Sequence, residues 1–537
     1  MQPRTRRWLV RAAWAVGALV AIAAALAGYV YSLLPEPIGD PPTLQTQLFE
    51  KPAQPLPVSG RYVGKSATEL AALIKSRQAT STEIVREHLH HIRNTNHRTN
   101  AFVWLFESQA LAAAAEADRK VARGEPLGRL HGVPVGVKEQ FGIEGQPQTV
   151  NATMFQGFRA ARNSLAVDAW LAEGAIVVGT TNVSRLLFDF QTFGEIYPTA
   201  LNPYDPARTP GGSTGGGAAA VASGLVPLEL GGDMGGSIRV PAAFCGIYGL
   251  KTTEGAMGLD PQSFPGVPGT LRYKRMAVSG PLARNVDDLE LAWNALMSRW
   301  PEGGARMLEP KASLRDYRVA HLDEWAFGND RVRVAGDVKA GLKALIDRLG
   351  AHGVITTPAQ PGDFEAMVAM HRMLSSYMAF EKVPALFRRL MAHRLRSQDE
   401  GRFDYRETFD RLADLDPARY DDLLQRRDAL TRRLEAFFAD HDLLILPVAT
   451  GPAIAHNPQH LPIDVDGRPV AYWDYFLLPI VFNATGHPAL TVPLGLNAQG
   501  LPLAVQIVGP MYSERRLIAF ARAIESLHTG WVAPPAK

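Results

Sequence analysis

Cysteine is almost absent from this sequence: Cys245 is the single one in 537 residues. One cysteine forms no intramolecular disulfide, and its setting, Ala-Phe-Cys-Gly-Ile, predicts a small, buried hydrophobic side chain. The spaced patterns CxxC and HExxH are also missing, so the sequence contains no motif for a catalytic metal. These absences leave the redox compartment undecided and favour chemistry that uses neither thiols nor metals.

An excess of charge of one sign is missing as well. The chain has 56 Lys and Arg against 53 Asp and Glu, a formal net charge of +3, and its basic side chains are scattered. So small an excess argues against nucleic acid as a partner. Hydrophobic residues make up 46% of the chain, which is enough for a large core, and length alone would suggest about three domains.

Glycine is abundant, and it is concentrated around two serines. Gly211–Gly217 surrounds Ser213, and Gly231–Gly236 leads to Ser237, 24 positions later. Glycine permits positive φ and close approach, so both runs predict tight loops. A phosphate loop is excluded because no Lys-Ser/Thr pair follows the last glycine, and the spacing of a dinucleotide loop is not met. A linker is disfavoured because a helix start and an apolar run are embedded in the stretch.

Nucleophilic catalysis by serine remains as the interpretation, and it requires a base and an oxyanion hole. No histidine lies within the two loops, and the pattern Gly-x-Ser-x-Gly is not met at Ser237. Upstream, a valine-rich strand ends with Lys138, whose burial would leave its amine neutral enough to accept a proton. The N–H groups of Ser237 and of the three residues before it, Met234, Gly235 and Gly236, are the predicted oxyanion donors.

These motifs resemble those of the amidase signature family, serine hydrolases that use a Ser-cisSer-Lys triad. The resemblance rests on GVPVGVKE, NPYDPARTPGGSTGGG and GGDMGGSIRVPAAFCGIYGLKTT, and it extends from about Ser66 to about Glu525. It implies that Lys138 is the base, Ser213 the proton-relaying cis serine and Ser237 the acylated nucleophile. It also implies an α/β fold, with a single large domain whose mixed β-sheet is flanked by helices on both faces. Neither a cofactor nor a metal is implied.

Some positions beside the motifs depart from the family's common pattern. The family commonly has a second serine at the position of Thr214, a threonine at that of Gly232, and Asp-Asn where Glu139 and Gln140 stand. Serine or glutamate is common at the position of Gly217. All three triad positions are kept, so these departures concern loop hydrogen bonds and substrate choice.

The N-terminal segment predicts a membrane anchor or an export signal. Four arginines precede an uncharged run, Ala12–Leu34, whose 23 residues are enough to span a bilayer. The basic flank predicts that the N-terminus stays inside and that the rest of the chain faces outward. The segment Thr5–Val10 loosely resembles a twin-arginine signal, and Ala25–Ala27 a cleavage site. The length of the run favours the anchor.

The chain is predicted to have three parts. Composition indicates an anchor or signal at residues 1–34 and a proline-rich extended linker at 35–60, and the family resemblance implies an amidase domain at 61–530. The predicted location is therefore a membrane-anchored chain with its catalytic domain outside the cytoplasm, or an exported chain after signal cleavage.

Other local patterns predict secondary structure and packing. Thr80 or Ser81 is the predicted cap of a helix, Asn285 caps another, and Gly174–Thr181 is a buried strand. A methionine-rich face between residues 367 and 391 has two interpretations, ordinary core packing or an adaptable wall for an acyl or aryl group. Its apolar members are Met367, Met370, Met373, Leu374, Met378, Phe387 and Met391.

The predicted function is hydrolysis of a carboxylic acid amide to the acid and ammonia or an amine, through an acyl-enzyme. An alternative is a component of a tRNA-dependent amidotransferase that acts on glutamine in the cytosol, which the N-terminal apolar run disfavours. A second alternative, an amidase-like membrane receptor that has lost the triad, is disfavoured because Lys138, Ser213 and Ser237 are all present. The predicted partners are a small amide substrate and the membrane, with no nucleic acid and with a homodimer left open.

Overall fold

The computed structural model describes residues 42–257, 275–327, 330–380, 388–389 and 416–535. The predicted anchor or signal at residues 1–34 lies outside these ranges, as do Phe387 and Met391. Within them, no helix combines the length and the apolar character that crossing a membrane requires.

The β-strands of the described residues form one large sheet and two small hairpins. They are β1 (Phe102–Leu105), β2 (Pro134–Lys138), β3 (Ile176–Thr181), β4 (Leu228–Asp233), β5 (Tyr248–Lys251), β6 (Val278–Ala283), β7 (Arg318–His321), β8 (Trp325–Phe327), β9 (Asp330–Val332), β10 (Ile355–Pro358), β11 (Leu443–Pro447), β12 (Ile463–Val465), β13 (Arg468–Val470), β14 (Ala489–Leu496) and β15 (Pro502–Val508). The large sheet has eleven strands in the order β1-β3-β2-β4-β6-β5-β14-β15-β11-β7-β10.

The large sheet is mixed. Strand β2 runs parallel to β3 and β4, and β7 runs parallel to β10 and β11, whereas the other neighbours are antiparallel. The parallel arrangement of β2 and β4 places their carboxyl ends at the same edge of the sheet. That edge therefore receives the residues that follow both strands.

Helices cover both faces of the sheet. They are α1 (Ala67–Lys75), α2 (Ser81–Thr95), α3 (Glu107–Arg123), α4 (Leu165–Ala172), α5 (Gly215–Ala222), α6 (Arg239–Phe244), α7 (Val286–Met297), α8 (Pro301–Ala305), α9 (Gly336–Ala351), α10 (Phe364–Phe380), α11 (Pro417–Asp440), α12 (Leu477–Thr485) and α13 (Glu514–Ala523). Strand β11 shows why two layers are needed. Leu443 and Ile445 pack in one core cluster with α1, α4, α7 and α13, whereas Leu444 and Leu446 pack in another with α10, α11 and α12. The α/β fold predicted from the sequence is confirmed.

Helix α5 explains the glycine run after Ser213. Its eight residues are all small or β-branched and all buried, so the helix lies very close to the sheet. A Cβ on Gly216 would come within 2.4 Å of the backbone nitrogen of Asn182 and within 2.6 Å of the carbonyl oxygen of Ala101. Glycine is therefore required at this position by close backbone approach, not by flexibility.

The predicted helix caps and the predicted strand are present. Thr80 caps α2 through a capping box, in which its hydroxyl accepts from the N–H of Glu83 and the Glu83 carboxylate accepts from the N–H of Thr80. Asn285 caps α7 by accepting from the N–H of Asp288 at 2.7 Å. Cys245 is fully buried, as its apolar setting predicts.

Part of the segment interpreted as an extended linker packs against the domain. Leu48 is buried, and its carbonyl oxygen accepts from the side-chain amide of Asn96 at 3.0 Å. The side chain of Gln45 hydrogen-bonds both the N–H and the carbonyl oxygen of Leu105, an edge-strand residue. Residues 45–48 are therefore attached to the sheet edge, because a buried leucine and a backbone-matching amide offset the extended tendency of the proline-rich segment.

Candidate active site

Lys138 is the last residue of β2, and its side chain is buried at the carboxyl edge of the sheet. Its exposed fraction is 1%, and its Nζ donates hydrogen bonds to Ser213 Oγ at 2.8 Å and to the carbonyl oxygen of Gly232 at 3.1 Å. Gly232 belongs to β4, the parallel neighbour of β2. The sheet register therefore brings Lys138 into contact with the loop that carries Ser213.

The environment of Lys138 favours the neutral amine. Burial lowers its pKa from 10.5 to about 7, although the charges of Asp233 and Glu229 act in the opposite direction. A lysine with a pKa near neutrality has a substantial neutral fraction at physiological pH, so it can accept a proton. The hydroxyl of Ser213 can supply that proton, because it lies in direct contact with the amine.

Ser213 lies in the loop that leads into α5. It is 1% exposed, and the peptide bond between Gly212 and Ser213 is cis. The next residue, Thr214, donates its N–H to the carbonyl oxygen of Ser237 at 3.2 Å. The two serine loops are thus joined by a backbone hydrogen bond, and Ser237 itself is half-buried.

A buried ion pair fixes the loop that carries Ser237. Asp233 accepts from the N–H groups of Gly236 and Ile238 at 2.8 and 3.1 Å, and its carboxylate pairs with the Arg239 guanidinium at 3.0 Å. Burial alone would raise the pKa of Asp233, but the Arg239 charge and hydrogen bonds outweigh it and hold the pKa well below its usual range. The carboxylate therefore stays ionised and organises the turn before α6.

Arg239 and Asp233 belong to a larger polar network that sequence reasoning missed. The guanidinium is fully buried and also donates to the side-chain oxygens of Gln506, at 3.0 Å, and Asn483. The Asn483 amide in turn donates to Asp233 Oδ1 at 2.9 Å. These partners lie on β15 and α12, more than 240 positions away, so no local pattern in the sequence pointed to them.

The structure changes the predicted set of oxyanion donors. The N–H of Gly236 is already donated to Asp233, which removes Gly236 from the set. No described residue accepts a hydrogen bond from the N–H of Met234, Gly235 or Ser237. The backbone at Gly236 has φ +117°, and a Cβ there would come within 2.7 Å of Pro479 Cβ, so glycine is needed for the turn rather than for an oxyanion contact.

Glu139, the residue after Lys138, attaches a neighbouring loop to the end of β2 through hydrogen bonds of its side chain. Its buried carboxyl accepts from the N–H groups of Thr149 and Val150 at 2.5 and 2.8 Å, and from the Tyr197 hydroxyl at 2.9 Å. Burial raises the pKa of Glu139, and the hydrogen bonds to these residues offset part of that effect, so the pKa is about 7. The departure from aspartate at this position is therefore accommodated by a loop, residues 149–150, that folds over the longer side chain.

Comparison with known proteins identifies the family. The sequence profile of the family described as Amidase matches residues 83–518, which is most of the chain. The chain belongs to the amidase family. Enzymes of this family are hydrolases that act on amide C–N bonds.

Individual relatives agree with this assignment. A glutamyl-tRNA(Gln) amidotransferase component from Anaeromyxobacter dehalogenans (strain 2CP-C) is 31% identical over 499 residues, covering 87% of this amidase and 97% of that protein. A solved inhibitor-bound vestigial complex, described as revealing the origins of an s-triazine catabolic enzyme, superposes with a TM-score of 0.71 at 25% identity, covering 88% and 100% of the two chains. The solved structure of a bacterial aryl acylamidase superposes with a TM-score of 0.69 at 24% identity, covering 87% of this chain and 96% of that chain. At this level of identity the likeness shows the fold alone.

The methionine-rich segment of this amidase contributes to its core. Met367, Met370 and Met373 are at most 5% exposed and lie in the apolar cluster formed by α10, α11 and α12. Ordinary core packing therefore accounts for these three residues.

Among the residues that the structure describes, no group of three or more His, Cys, Asp or Glu side chains is placed to hold a metal ion.

Proposed function

We propose that this amidase hydrolyses a small carboxylic acid amide through an acyl-enzyme on Ser237, with Lys138 as the base and Ser213 as the proton relay. The contact between Lys138 Nζ and Ser213 Oγ, at 2.8 Å within a fully buried environment, is the observation that carries the proposal. Lys138 forms no ion pair with any described residue. Its amine instead hydrogen-bonds Ser213 and Gly232, which belong to the two glycine-rich runs that flank the serines.

In the acylation step, neutral Lys138 takes the proton of Ser213 as Ser213 takes that of Ser237. The Ser237 oxygen forms a bond to the amide carbon, and the N–H groups of Met234, Gly235 and Ser237 donate to the oxygen that becomes negative. The amide C–N bond then breaks, and the leaving nitrogen receives the proton from Lys138 through Ser213. Ammonia or an amine departs, and the acyl group remains on Ser237.

In the deacylation step, water replaces the amine and the same relay works again. Ser213 and Lys138 remove a proton from the water as its oxygen bonds to the acyl carbon. The bond from that carbon to Ser237 breaks, and Ser237 recovers its proton from the relay. The products are the carboxylic acid and the free enzyme, so one water molecule is consumed for each amide.

Covalent labelling tests the role of Ser237. A fluorophosphonate probe should label the wild-type enzyme at Ser237, and Ser237→Ala should lose both labelling and hydrolysis while keeping its melting temperature, because little packing is removed. Labelling of the variant to the wild-type extent would refute the assignment. Ser223→Ala provides a matched control, because Ser223 lies at the opposite end of α5 from Ser213.

A second candidate function is supported by the amidotransferase relative. That protein is named as one component of an enzyme for glutamyl-tRNA(Gln), and its 31% identity extends over 97% of its length. The corresponding proposal for this chain is release of ammonia from glutamine. Initial rates with glutamine and with a panel of simple amides separate the two: preference for glutamine, together with activity that depends on a copurifying protein, would favour the amidotransferase candidate.

We also propose that Ala12–Leu34 anchors the enzyme in a membrane with the catalytic domain outside the cytoplasm. The support is the sequence alone: 23 uncharged residues behind a basic flank. A retained anchor should keep the full-length chain in the membrane fraction through alkaline washing, and deletion of residues 1–35 should release a soluble, active protein. A shortened soluble chain would indicate a cleaved signal, and a full-length soluble chain would refute both.

A further inference from the structure

One histidine outside the predicted site contacts the loop that carries Ser237. His371 lies on α10, is 8% exposed, and its Nε2 lies 2.7 Å from the carbonyl oxygen of Met234. It also lies over the next residue, because a Cβ on Gly235 would be 3.5 Å from the same nitrogen. The imidazole therefore touches the peptide unit that joins two of the proposed oxyanion donors.

The direction of this hydrogen bond is determined by the partner. A carbonyl oxygen only accepts, so Nε2 carries the hydrogen and donates to Met234. Burial lowers the pKa of His371 to about 4, so the ring is neutral at pH 7 and Nδ1 carries no hydrogen. The hydroxyl of Ser375, one helical turn further on, lies 3.5 Å from Nδ1. Both ring nitrogens thus face groups of the protein, which leaves no free nitrogen for proton transfer with a substrate.

The consequence for catalysis follows from peptide geometry. The carbonyl and the N–H of a trans peptide point in opposite directions. With the Met234 carbonyl directed at His371, the N–H of Gly235 is directed away from α10. Gly235 is half-buried and has glycine on its C-terminal side, so the backbone itself imposes little preference on this peptide. Asp233 fixes the N–H groups further along the loop, at Gly236 and Ile238, but does not bond this one.

We infer that His371 is a positioning residue that holds the Met234–Gly235 peptide with the Gly235 N–H available to the oxyanion. The inference rests on the proposed acyl-enzyme function, because the oxyanion forms only when Ser237 attacks a carbonyl carbon. It assigns the two sides of the loop to different side chains. Asp233 organises the segment after Gly235, and His371 organises the peptide before it.

Two substitutions separate the donor from the packing. His371→Gln places an amide N–H near the position of Nε2 and should keep kcat for p-nitrophenyl acetate within about threefold of the wild type. His371→Leu keeps the bulk without the donor and should lower kcat about 10- to 100-fold, because loss of a whole oxyanion donor costs about 100- to 1,000-fold. KM should change little. If the leucine variant does not fold, His371→Asn replaces it, since its shorter amide does not reach Met234.

A transition-state analogue gives the readout that a purely structural role would not change. Trifluoroacetophenone accepts the Ser237 oxygen at its carbonyl carbon, the resulting oxyanion occupies the hole, and the serine proton passes to Lys138. Its inhibition constant should weaken in His371→Leu by the same factor as kcat and stay near the wild-type value in His371→Gln. Equal losses in both variants, or unchanged inhibition in the leucine variant, would overturn the positioning role.

The outcome also distinguishes this inference from the proposed function. A wild-type enzyme that fluorophosphonate does not label at Ser237 would refute the acyl-enzyme itself, and the role of His371 would then be refuted with it. A wild-type enzyme that is labelled, beside a leucine variant with unchanged kcat and inhibition, would refute only the role of His371. Melting temperatures of both variants identify any loss that comes from unfolding.

Discussion

The acid limb of the pH–rate profile is the most informative consequence of the buried lysine. Only the neutral amine accepts a proton, and burial lowers the pKa of Lys138 to about 7. The neutral fraction is then about one half at pH 7, about a tenth at pH 6 and about a hundredth at pH 5. We therefore expect kcat/KM to fall about tenfold for each pH unit below neutrality and to level off above about pH 8. If Lys138 had the ordinary lysine pKa of 10.5, only about one enzyme molecule in 3,000 would have a neutral amine at pH 7 and could accept the proton.

The assay measures kcat/KM for a chromogenic anilide between about pH 5 and 9, because this ratio reports the ionisation of the free enzyme. Two buried carboxyl groups complicate the assignment, since burial raises the pKa of Glu139 to about 7 and that of Glu229 to about 8. Repeating the pH profile at several temperatures distinguishes Lys138 from these carboxyl groups, because the pKa of an amine falls on warming whereas that of a carboxyl group hardly changes. Lys138→Arg is the matched control, because a guanidinium stays charged and should lower the rate about 100- to 10,000-fold.

A profile that is flat across neutrality, or one whose midpoint does not move with temperature, would refute the role of Lys138 as the base. A flat profile would mean that Lys138 is not the base. A temperature-independent midpoint would mean that a carboxyl group controls the rate. A Lys138→Arg enzyme with the wild-type rate would exclude the lysine from proton transfer altogether.

Three further substitutions test other contacts of the site. Ser213→Ala should lower kcat about 100- to 1,000-fold at unchanged stability, since it interrupts the path from the nucleophile to the lysine; a change below about threefold, measured by initial rates, would exclude the relay. Arg239→Met leaves the Asp233 carboxylate buried without its cation and should lower the free energy of unfolding by about 3–5 kcal/mol in urea titrations; an unchanged midpoint would contradict the importance of the pair. Gly236→Ala should slow hydrolysis and destabilise the enzyme, because its φ of +117° and the nearby Pro479 oppose a side chain, and a variant with wild-type kcat and melting temperature would show that the loop adapts.

The parts of the site that could be predicted are those encoded locally. A valine-rich strand ending in one lysine predicts a buried amine at a strand end, and the glycine flanks predict tight loops around both serines. The parallel pairing of β2 and β4 then places the Lys138 amine within hydrogen-bond distance of Ser213. The fold class was predictable for a different reason, because these motifs resemble those of the amidase signature family, and the resemblance implies its α/β fold.

The contacts that could not be predicted join residues far apart in the chain. His371 contacts the loop that carries Ser237 only because α10 packs over that loop, and a single histidine in a methionine-rich helix carries no pattern that indicates a role. The bond from Gly236 to Asp233 depends on a turn whose geometry glycine allows but does not specify. The attachment of Gln45 to Leu105 depends on an exposed strand edge, which the sequence around Gln45 does not reveal.

The central claim is that an acyl group is carried by Ser237 and that Lys138 drives its formation. The most direct measurement is acid quenching of the enzyme during turnover of p-nitrophenyl acetate, followed by mass spectrometry of its peptides. We predict an acetyl group on Ser237 that appears in the wild type, is absent in Ser237→Ala, and forms much more slowly in Lys138→Arg. Turnover with no acetylated peptide, or with the acetyl group on another residue, would contradict the account.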